Sequence, residues 1–191
     1  MTAFMHISGY SGSGTTILGK KIQEQFSNYL VVKDIDEWFF ELDNYDDIDN
    51  YDDIKIGCNS IREKMNNFVI ENSTKKVVFV GFGGLSPYEI ETTSWKNIYP
   101  MIDTEHKIWL DVSIEQSSGQ GVYRQIKHIY ENVQDILETH RDLSEEDISI
   151  YFDSCNYKAR LKEWAPLKDI FAKEGYVPMS EEDILNLIRI E

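Results

Sequence analysis

A glycine-rich segment near the start of the chain has the residue types and spacing of a phosphate-binding loop. It reads Gly9-Tyr-Ser-Gly-Ser-Gly-Thr-Thr16 and matches the pattern G-x-x-x-x-G-K-[ST] at every fixed position except the lysine, which is replaced by Thr15. Glycines let successive backbone N–H groups turn toward one point, and the dipole of a following helix favours an anion there. The residues predicted to hold phosphate groups are Gly9, Ser11, Gly12, Ser13, Gly14, Thr15 and Thr16.

Thr16 has a second expected role at the end of this segment. A hydroxyl at this position of the pattern is offered to a Mg²⁺ ion that bridges the phosphates. The alternative is that the glycines form only a tight structural turn. A short apolar strand pattern before the segment and a helical pattern after it favour the phosphate loop, because the mechanism needs both elements.

The replacement of the lysine by Thr15 bears on catalysis more than on binding. A charge-assisted hydrogen bond of this kind contributes roughly 1.5–3 kcal/mol, and losing a donor aimed at transition-state charge costs about 10²–10³ in rate. Lys20 lies about 7.5 Å further along the axis of the predicted helix and is turned away, and Lys21 follows it. We therefore expect the backbone to bind the phosphates, while phosphoryl transfer suffers more from the loss. An arginine from the lid or from a partner is an alternative source of the charge.

Short apolar runs alternate with longer helical patterns along the 191 residues, a length that suits one domain. Strands are predicted at Phe4–Ile7, Leu30–Lys33, Val77–Phe82, Lys107–Val112 and Tyr176–Met179. The third of these is apolar at nearly every position, which is typical of a strand buried on both faces. The alternation predicts an α/β fold with three layers, α/β/α, around a mostly parallel five-stranded sheet.

Three helix starts are indicated by a serine that precedes an acid by three residues, a spacing that caps free backbone N–H groups. These serines are Ser60, Ser144 and Ser180. A longer pattern from about Gly121 to His140 places its apolar residues on one stripe, namely Val122, Ile126, Ile129, Val133, Ile136 and Leu137. We expect the stripe to pack against the body of the protein; the alternative is a lid over about residues 115–150.

The composition excludes several classes of protein. A formal net charge of −15 disfavours nucleic acid and anionic membrane as partners, because both reward a basic surface. No apolar run approaches the length that spans a bilayer, and residues 1–7 lead straight into the glycine segment. Cys58 and Cys155 have no paired metal-ligand spacing and suit a reducing compartment. The sequence therefore predicts a single cytoplasmic domain over residues 1–191.

A directly repeated acidic segment lies at residues 43–54. The six residues Asp43–Ile48 recur without change as Asp49–Ile54. Their density of carboxylates predicts a solvated insertion. A calcium site is the alternative, but the segment lacks the glycine and the terminal glutamate spacing of an EF-hand loop.

The glycine segment and the order of elements resemble those of the small P-loop kinases, the group that contains shikimate kinase, gluconate kinase and the nucleoside monophosphate kinases. A narrower similarity is to uncharacterised P-loop proteins of large DNA viruses. The resemblance covers most of the chain as an order of elements, and its specific motif is the loop at residues 9–16. It implies ATP as phosphate donor, Mg²⁺ as cofactor and a small acceptor, either a nucleotide or a hydroxylated metabolite.

The same resemblance implies roles for residues outside the loop. Asp34 and Asp36 follow the second strand as a D-x-D pair, which implies a metal-side carboxylate at Asp34 and a substrate contact or general base at Asp36. Gly83 and Gly84 would let substrate approach the backbone, and Arg62 would clamp it. The alternatives are that the acids only open the acidic insertion, that the glycines form a turn and that the arginine is solvated.

Kinases of this class also carry arginines in and around a lid, where they neutralise the transferring phosphate. Arg124 is the first candidate here and Arg141 the second. An R-x-x-x-R spacing is absent, as is an acid at the end of the Val77–Val80 strand. The sequence therefore supports two functions: an ATP-dependent phosphotransferase, or a nucleotide-binding protein with little catalysis because of Thr15. A kinase acting on nucleic-acid ends is disfavoured by the charge.

Overall fold

The computed structural model of the protein describes residues 2–40, 51–81, 103–131 and 156–191. The strands in these ranges are β1 (Ala3–Ser8), β2 (Leu30–Asp34), β3 (Lys76–Val80), β4 (Thr104–Leu110) and β5 (Val177–Met179). The helices are α1 (Thr15–Phe26), α2 (Asp36–Phe40), α3 (Tyr51–Glu71), α4 (Ile114–Glu131), α5 (Tyr157–Trp164), α6 (Leu167–Lys173) and α7 (Glu181–Ile190).

The five strands form one parallel sheet in the order β2-β3-β1-β4-β5. This order is typical of the P-loop kinase fold, so the predicted α/β class is confirmed. Every residue of β1 is buried, as expected for the central strand. Because the carboxyl ends of parallel strands meet at one edge, the segments that follow β1, β2 and β3 lie together there.

Helices cover both faces of the sheet. On one face α1 and α7 pack through Leu18, Ile22, Ile184 and Ile188 against the strands. On the other face α3 packs through residues that include Ile61 and Met65. Within the part of the chain that the structure describes, no helix is both long and apolar enough to cross a membrane.

Two of the sequence-based boundaries differ from the structure for identifiable reasons. β3 stops at Val80 rather than at Phe82, because Gly81 adopts a φ of 94°, which is outside the strand region. Ser60 does not start a helix but lies within α3, which already begins at Tyr51. A serine and an acid three residues apart also occur on one face of a continuous helix, so the spacing alone does not mark an end.

The other predicted helix starts have mixed outcomes. Ser180 caps α7 as predicted, because its Oγ accepts a hydrogen bond of 3.2 Å from the N–H of Asp183. Ser144 lies outside the described residues. So do residues 43–50 of the acidic repeat, whereas residues 51–54 are helical as the start of α3.

The helix α4 begins earlier than predicted and buries a different side. Its buried residues include Ser117, Ser118 and Gly121, whereas Ile126, in the middle of the predicted apolar stripe, is 53% exposed. The expectation that this stripe packs against the body is therefore wrong for Ile126. Small residues replace large ones on the buried side because the backbone of the glycine loop comes directly against it, as shown below. Residues 132–150 of the predicted lid lie outside the described ranges.

Candidate nucleotide-binding site

The loop between β1 and α1 has a backbone conformation that can surround an anion. Gly12 and Gly14 have φ values of 95° and 98°, in the left-handed region that residues with a β-carbon rarely adopt. The N–H of Ser13 donates a 2.8 Å hydrogen bond to the carbonyl oxygen of Tyr10 and closes a turn. α1 then starts with no side-chain cap and no acid in its first turn. Its positive end is therefore uncompensated and faces the loop.

The hydroxyl of Ser13 is a buried polar group within this loop. The serine is only 8% exposed, and its hydroxyl has no hydrogen-bond partner among the described residues. A buried polar group without a partner costs about 1–3 kcal/mol. A β-carbon on Gly9 would lie 2.5 Å from this hydroxyl, so any other residue there would displace the serine side chain. Bound phosphate oxygens would accept the hydrogen bond that the protein does not.

The loop is held from two sides. A β-carbon on Gly12 would collide with the carbonyl oxygen of Ser117 and would lie 3.2 Å from the backbone nitrogen of Gly121. The loop backbone is thus pressed against α4. Tyr10 is buried, and its ring packs edge-on against Trp109 of β4 with ring centroids 5.0 Å apart. The loop is therefore fixed in shape before any ligand binds, which lowers the entropic cost of binding.

Two carboxylates and a hydroxyl meet beside the loop. Thr16 Oγ1 donates a 2.6 Å hydrogen bond to Asp34 Oδ2, and the N–H of Asp36 donates one of 3.0 Å to Asp34 Oδ1. A β-carbon on Gly81 would lie 2.7 Å from Asp34 Oδ1 and 2.9 Å from Asp36 Oδ2. The structure therefore brings together, at the carboxyl ends of β2 and β3, the residues that the sequence assigned to metal and acceptor.

This arrangement also brings a carboxylate to the end of β3, where the sequence itself has no acid. No carboxylate follows β3 directly, but Asp34 on the neighbouring strand pairs in register with Val80, the last residue of β3. Its side chain stands beside Gly81, where an acid at the end of β3 would otherwise lie. A sequence scan along one strand could not detect this, because the carboxylate reaches the position from the adjacent strand.

The donor set fits Mg²⁺. This ion is usually held by one or two carboxylates together with water and substrate phosphates rather than by a cage of protein ligands. Thr16 and Asp34 supply one hydroxyl and one carboxylate, already hydrogen-bonded to each other. Nowhere in residues 2–40, 51–81, 103–131 and 156–191 do three or more His, Cys, Asp or Glu residues cluster as in a protein-only metal site.

A buried histidine holds the turn that supports the two acids. His6 Nε2 lies 3.0 Å from the carbonyl oxygen of Gly81, and Nδ1 lies 2.6 Å from the hydroxyl of Tyr176. Because a carbonyl can only accept, Nε2 carries the proton and Nδ1 accepts from the tyrosine. Burial lowers the pKa of His6 from 6.5 to about 4; the hydrogen bond to Gly81 opposes this shift, and the charge of Lys107 adds to it.

We expect this histidine to make folding pH-dependent. Since its pKa is lower in the folded protein than in the unfolded chain, its contribution to stability is complete above about pH 6.5 and is lost as the pH falls toward 4. The loss amounts to about 3 kcal/mol. Urea unfolding of the wild type and of His6→Gln at pH 7 and pH 4.5 tests this. The variant should be less stable at pH 7 but should lose less on acidification; equal losses would contradict the prediction.

The remaining predicted residues lie on other helices or outside the described residues. Arg62 is half-buried on α3 and donates a 2.8 Å hydrogen bond to Asn59 Oδ1. Arg124 is exposed on α4. Lys21 forms an ion pair with Glu181 at the start of α7, so its charge is directed away from the loop. Those outside the described ranges are Gly83, Gly84 and Arg141.

One basic side chain that the sequence analysis missed lies near the loop. Arg160, on α5, places its guanidinium 4.5 Å from the ring of Trp164. A β-carbon on Gly121 of α4 would lie 2.6 Å from its Nη2. No spacing in the sequence connects this arginine with residues 9–16, because the contact arises only when α5 packs against α4.

Comparisons with known proteins give structural similarities at low sequence identity. No protein-family model and no curated protein sequence matches this chain. Among solved structures it is similar to shikimate kinase from Acinetobacter baumannii in complex with shikimate, with 13% identity, a TM-score of 0.48 and coverage of 98% of this chain and 93% of that one. Shikimate kinase from Bacteroides thetaiotaomicron gives 17% identity, a TM-score of 0.38 and coverage of 94% and 86%.

An uncharacterised protein from Eubacterium ventriosum is similar over 100% of both chains, with 13% identity and a TM-score of 0.41. The similarity to proteins of large DNA viruses is not among these and stays a prediction. At such identities the P-loop kinase-like fold rests on the strand order and on the conformation of the loop rather than on any one relative.

Proposed function

We propose that the chain binds Mg²⁺–ATP at residues 9–16 and transfers the terminal phosphate to a small acceptor in the cytoplasm. The observation that carries the proposal is the position of the Thr16–Asp34 hydrogen bond, 2.6 Å long, directly beside a loop with two left-handed glycines at an uncapped helix start. The loop suits phosphate groups, and the adjoining oxygen ligands suit the metal ion that accompanies them.

Each part of the loop has a definite task in this proposal. The backbone N–H groups of residues 9–15 other than that of Ser13, which closes the turn, and the Ser13 hydroxyl hold the phosphates. Thr16 and Asp34 hold Mg²⁺, which neutralises charge on the phosphate oxygens when it is bound. Because Thr16 is exposed while it donates to Asp34, its oxygen is accessible to the ion.

Asp36 would act on the acceptor. Its carboxylate stands beside Gly81, next to Asp34, and therefore close to the proposed metal. As the acceptor hydroxyl oxygen forms a bond to the γ-phosphorus, the bond from that phosphorus to the bridging oxygen breaks and ADP leaves. Asp36 takes the hydroxyl proton. Arg124 would neutralise developing charge, and the substrate contacts would come from Arg62, Gly83 and Gly84.

A second candidate function is nucleotide binding with little or no catalysis. Thr15 favours it, because the cation that normally contacts the terminal phosphates is absent from the loop. Such a protein would act as a regulatory or interaction module whose state depends on the bound nucleotide.

Calorimetric titration with Mg²⁺–ATP, followed by an assay for turnover with candidate acceptors, separates these functions. Micromolar binding that is lost when EDTA removes Mg²⁺, together with acceptor-stimulated ADP release, supports the phosphotransferase. Binding without turnover across nucleotide and hydroxylated acceptors supports the second candidate. A protein that shows no heat of binding with Mg²⁺–ATP or Mg²⁺–GTP would contradict both.

A further inference from the structure

The contacts of Gly121 on α4 connect the phosphate loop with Arg160. The β-position of a glycine is the point that an added β-carbon would occupy. The backbone nitrogen of Gly121 lies 3.2 Å from the β-position of Gly12, and the β-position of Gly121 lies 2.6 Å from Arg160 Nη2. Since the nitrogen and the β-position of one residue are about 2.5 Å apart, and the β-position of Gly12 is about 1.5 Å from its Cα, the guanidinium lies within roughly 10 Å of the loop backbone at Gly12. The flexible stem of an arginine can cover much of this distance.

Two features position the guanidinium beside α4. It lies over the ring of Trp164 one turn later on α5, at 4.5 Å from the ring centroid, which is the geometry of a cation–π contact. Gly121 leaves it room, because a β-carbon there would lie 2.6 Å from Nη2 and 2.9 Å from Cζ. The arginine is half-buried as a result, unlike Arg124 on the same helix as Gly121, which is exposed.

The other basic residues considered for the loop are less suitable. Lys21 is paired with Glu181, and Lys20 is exposed further along α1. A guanidinium, by contrast, binds phosphate with two parallel hydrogen bonds and is always charged. Its partial burial next to the loop also strengthens its interaction with an anion there.

We propose that Arg160 supplies the positive charge that the loop lacks because Thr15 stands in place of lysine. The guanidinium would bind the terminal phosphates of a nucleoside triphosphate from the side of α4, across Gly121. This inference rests on the proposed nucleotide site. It identifies the ligand class as a polyphosphate rather than a nucleoside or a monophosphate, because the missing lysine is the group that contacts the terminal phosphates.

Calorimetry with Mg²⁺–ATP and with AMP tests the proposal on the wild type, Arg160→Met and Arg160→Lys. Loss of a charge-assisted hydrogen bond should weaken Mg²⁺–ATP binding by about 10- to 100-fold in Arg160→Met, with a much smaller effect on AMP. Arg160→Lys should fall between, since it keeps the charge but not the paired hydrogen bonds. Adding Thr15→Lys to Arg160→Met should restore most of the lost affinity for Mg²⁺–ATP.

Arg189→Met is the matched control, because Arg189 is exposed on α7 and donates to Asn186. If the wild type binds Mg²⁺–ATP and Arg160→Met binds it equally well, the role of Arg160 is wrong while the proposed function stands. A wild type that does not bind contradicts both. If Arg160→Met unfolds, Gly121→Ala replaces it as the test, because alanine favours the helix while its β-carbon displaces the guanidinium of Arg160. This variant should bind Mg²⁺–ATP more weakly than the wild type. Unchanged binding would overturn the inference.

Discussion

Thr15→Lys is expected to tighten Mg²⁺–ATP binding by about 10- to 100-fold and to raise any acceptor-dependent turnover by about 10²–10³. Thr15 is the first residue of α1, and its Cγ2 lies 3.4 Å from the β-position of Gly9, across the mouth of the loop. A lysine that begins there can extend over the loop toward the terminal phosphates. Calorimetry gives the affinity, and a coupled assay for ADP gives the rate.

Thr15→Met is the matched control for this substitution, because it adds an unbranched stem without the ammonium. A gain in affinity for Thr15→Lys but not for Thr15→Met assigns the effect to charge. Equal behaviour of the two variants would count against a nucleotide at this loop, since a bound triphosphate cannot be indifferent to a cation placed beside it. If Arg160 already supplies the charge, the gain in the wild-type background should be smaller than in Arg160→Met.

The fold could be predicted because its determinants are local. The predicted strand Val77–Phe82 is apolar at nearly every position, as expected of a parallel strand covered on both faces, and the structure buries Val77–Val80 accordingly. The loop at residues 9–16 could be identified because glycines at fixed positions encode left-handed backbone, which the structure shows at Gly12 and Gly14. Ser180 likewise caps its helix through an atom only three residues away.

The features that escaped prediction depend on contacts between distant segments. Arg160 approaches the loop only through α4, and His6 acquires its role from a tyrosine near the end of the chain and a glycine after β3. The buried side of α4 was misjudged for a related reason. An apolar stripe normally marks the packed face of a helix, but here the backbone of Ser117 and Gly121 lies against the loop at Gly12, and a side chain on Gly121 would collide with Arg160.

Asp34→Asn is expected to lower the affinity for Mg²⁺ in the presence of ATP by at least about 100-fold. Residues that only support metal ligands already contribute about 10- to 100-fold to metal affinity, and Asp34 is itself a proposed ligand. The amide oxygen of asparagine can still accept from the N–H of Asp36, and its NH₂ can donate to the Thr16 hydroxyl oxygen, so both contacts can be kept while the charge is lost. The measurement is a Mg²⁺ titration at fixed ATP, followed by calorimetry. Asp103→Asn, at an exposed position before β4, is the matched control.

The thermal stability of Asp34→Asn distinguishes two roles of Asp34: a metal-binding acid, or an acid that only begins the acidic insertion. Asp34 and Asp36 hold their carboxylates close together beside Gly81 in a chain of net charge −15, so removing one charge relieves repulsion between them. Asp34→Asn should therefore unfold at the same temperature as the wild type or at a higher one. Unchanged or increased stability with a lost response to Mg²⁺ is expected of a residue kept for binding rather than for folding. An unaltered Mg²⁺ dependence would instead place Asp34 outside the metal site, whatever the melting temperature.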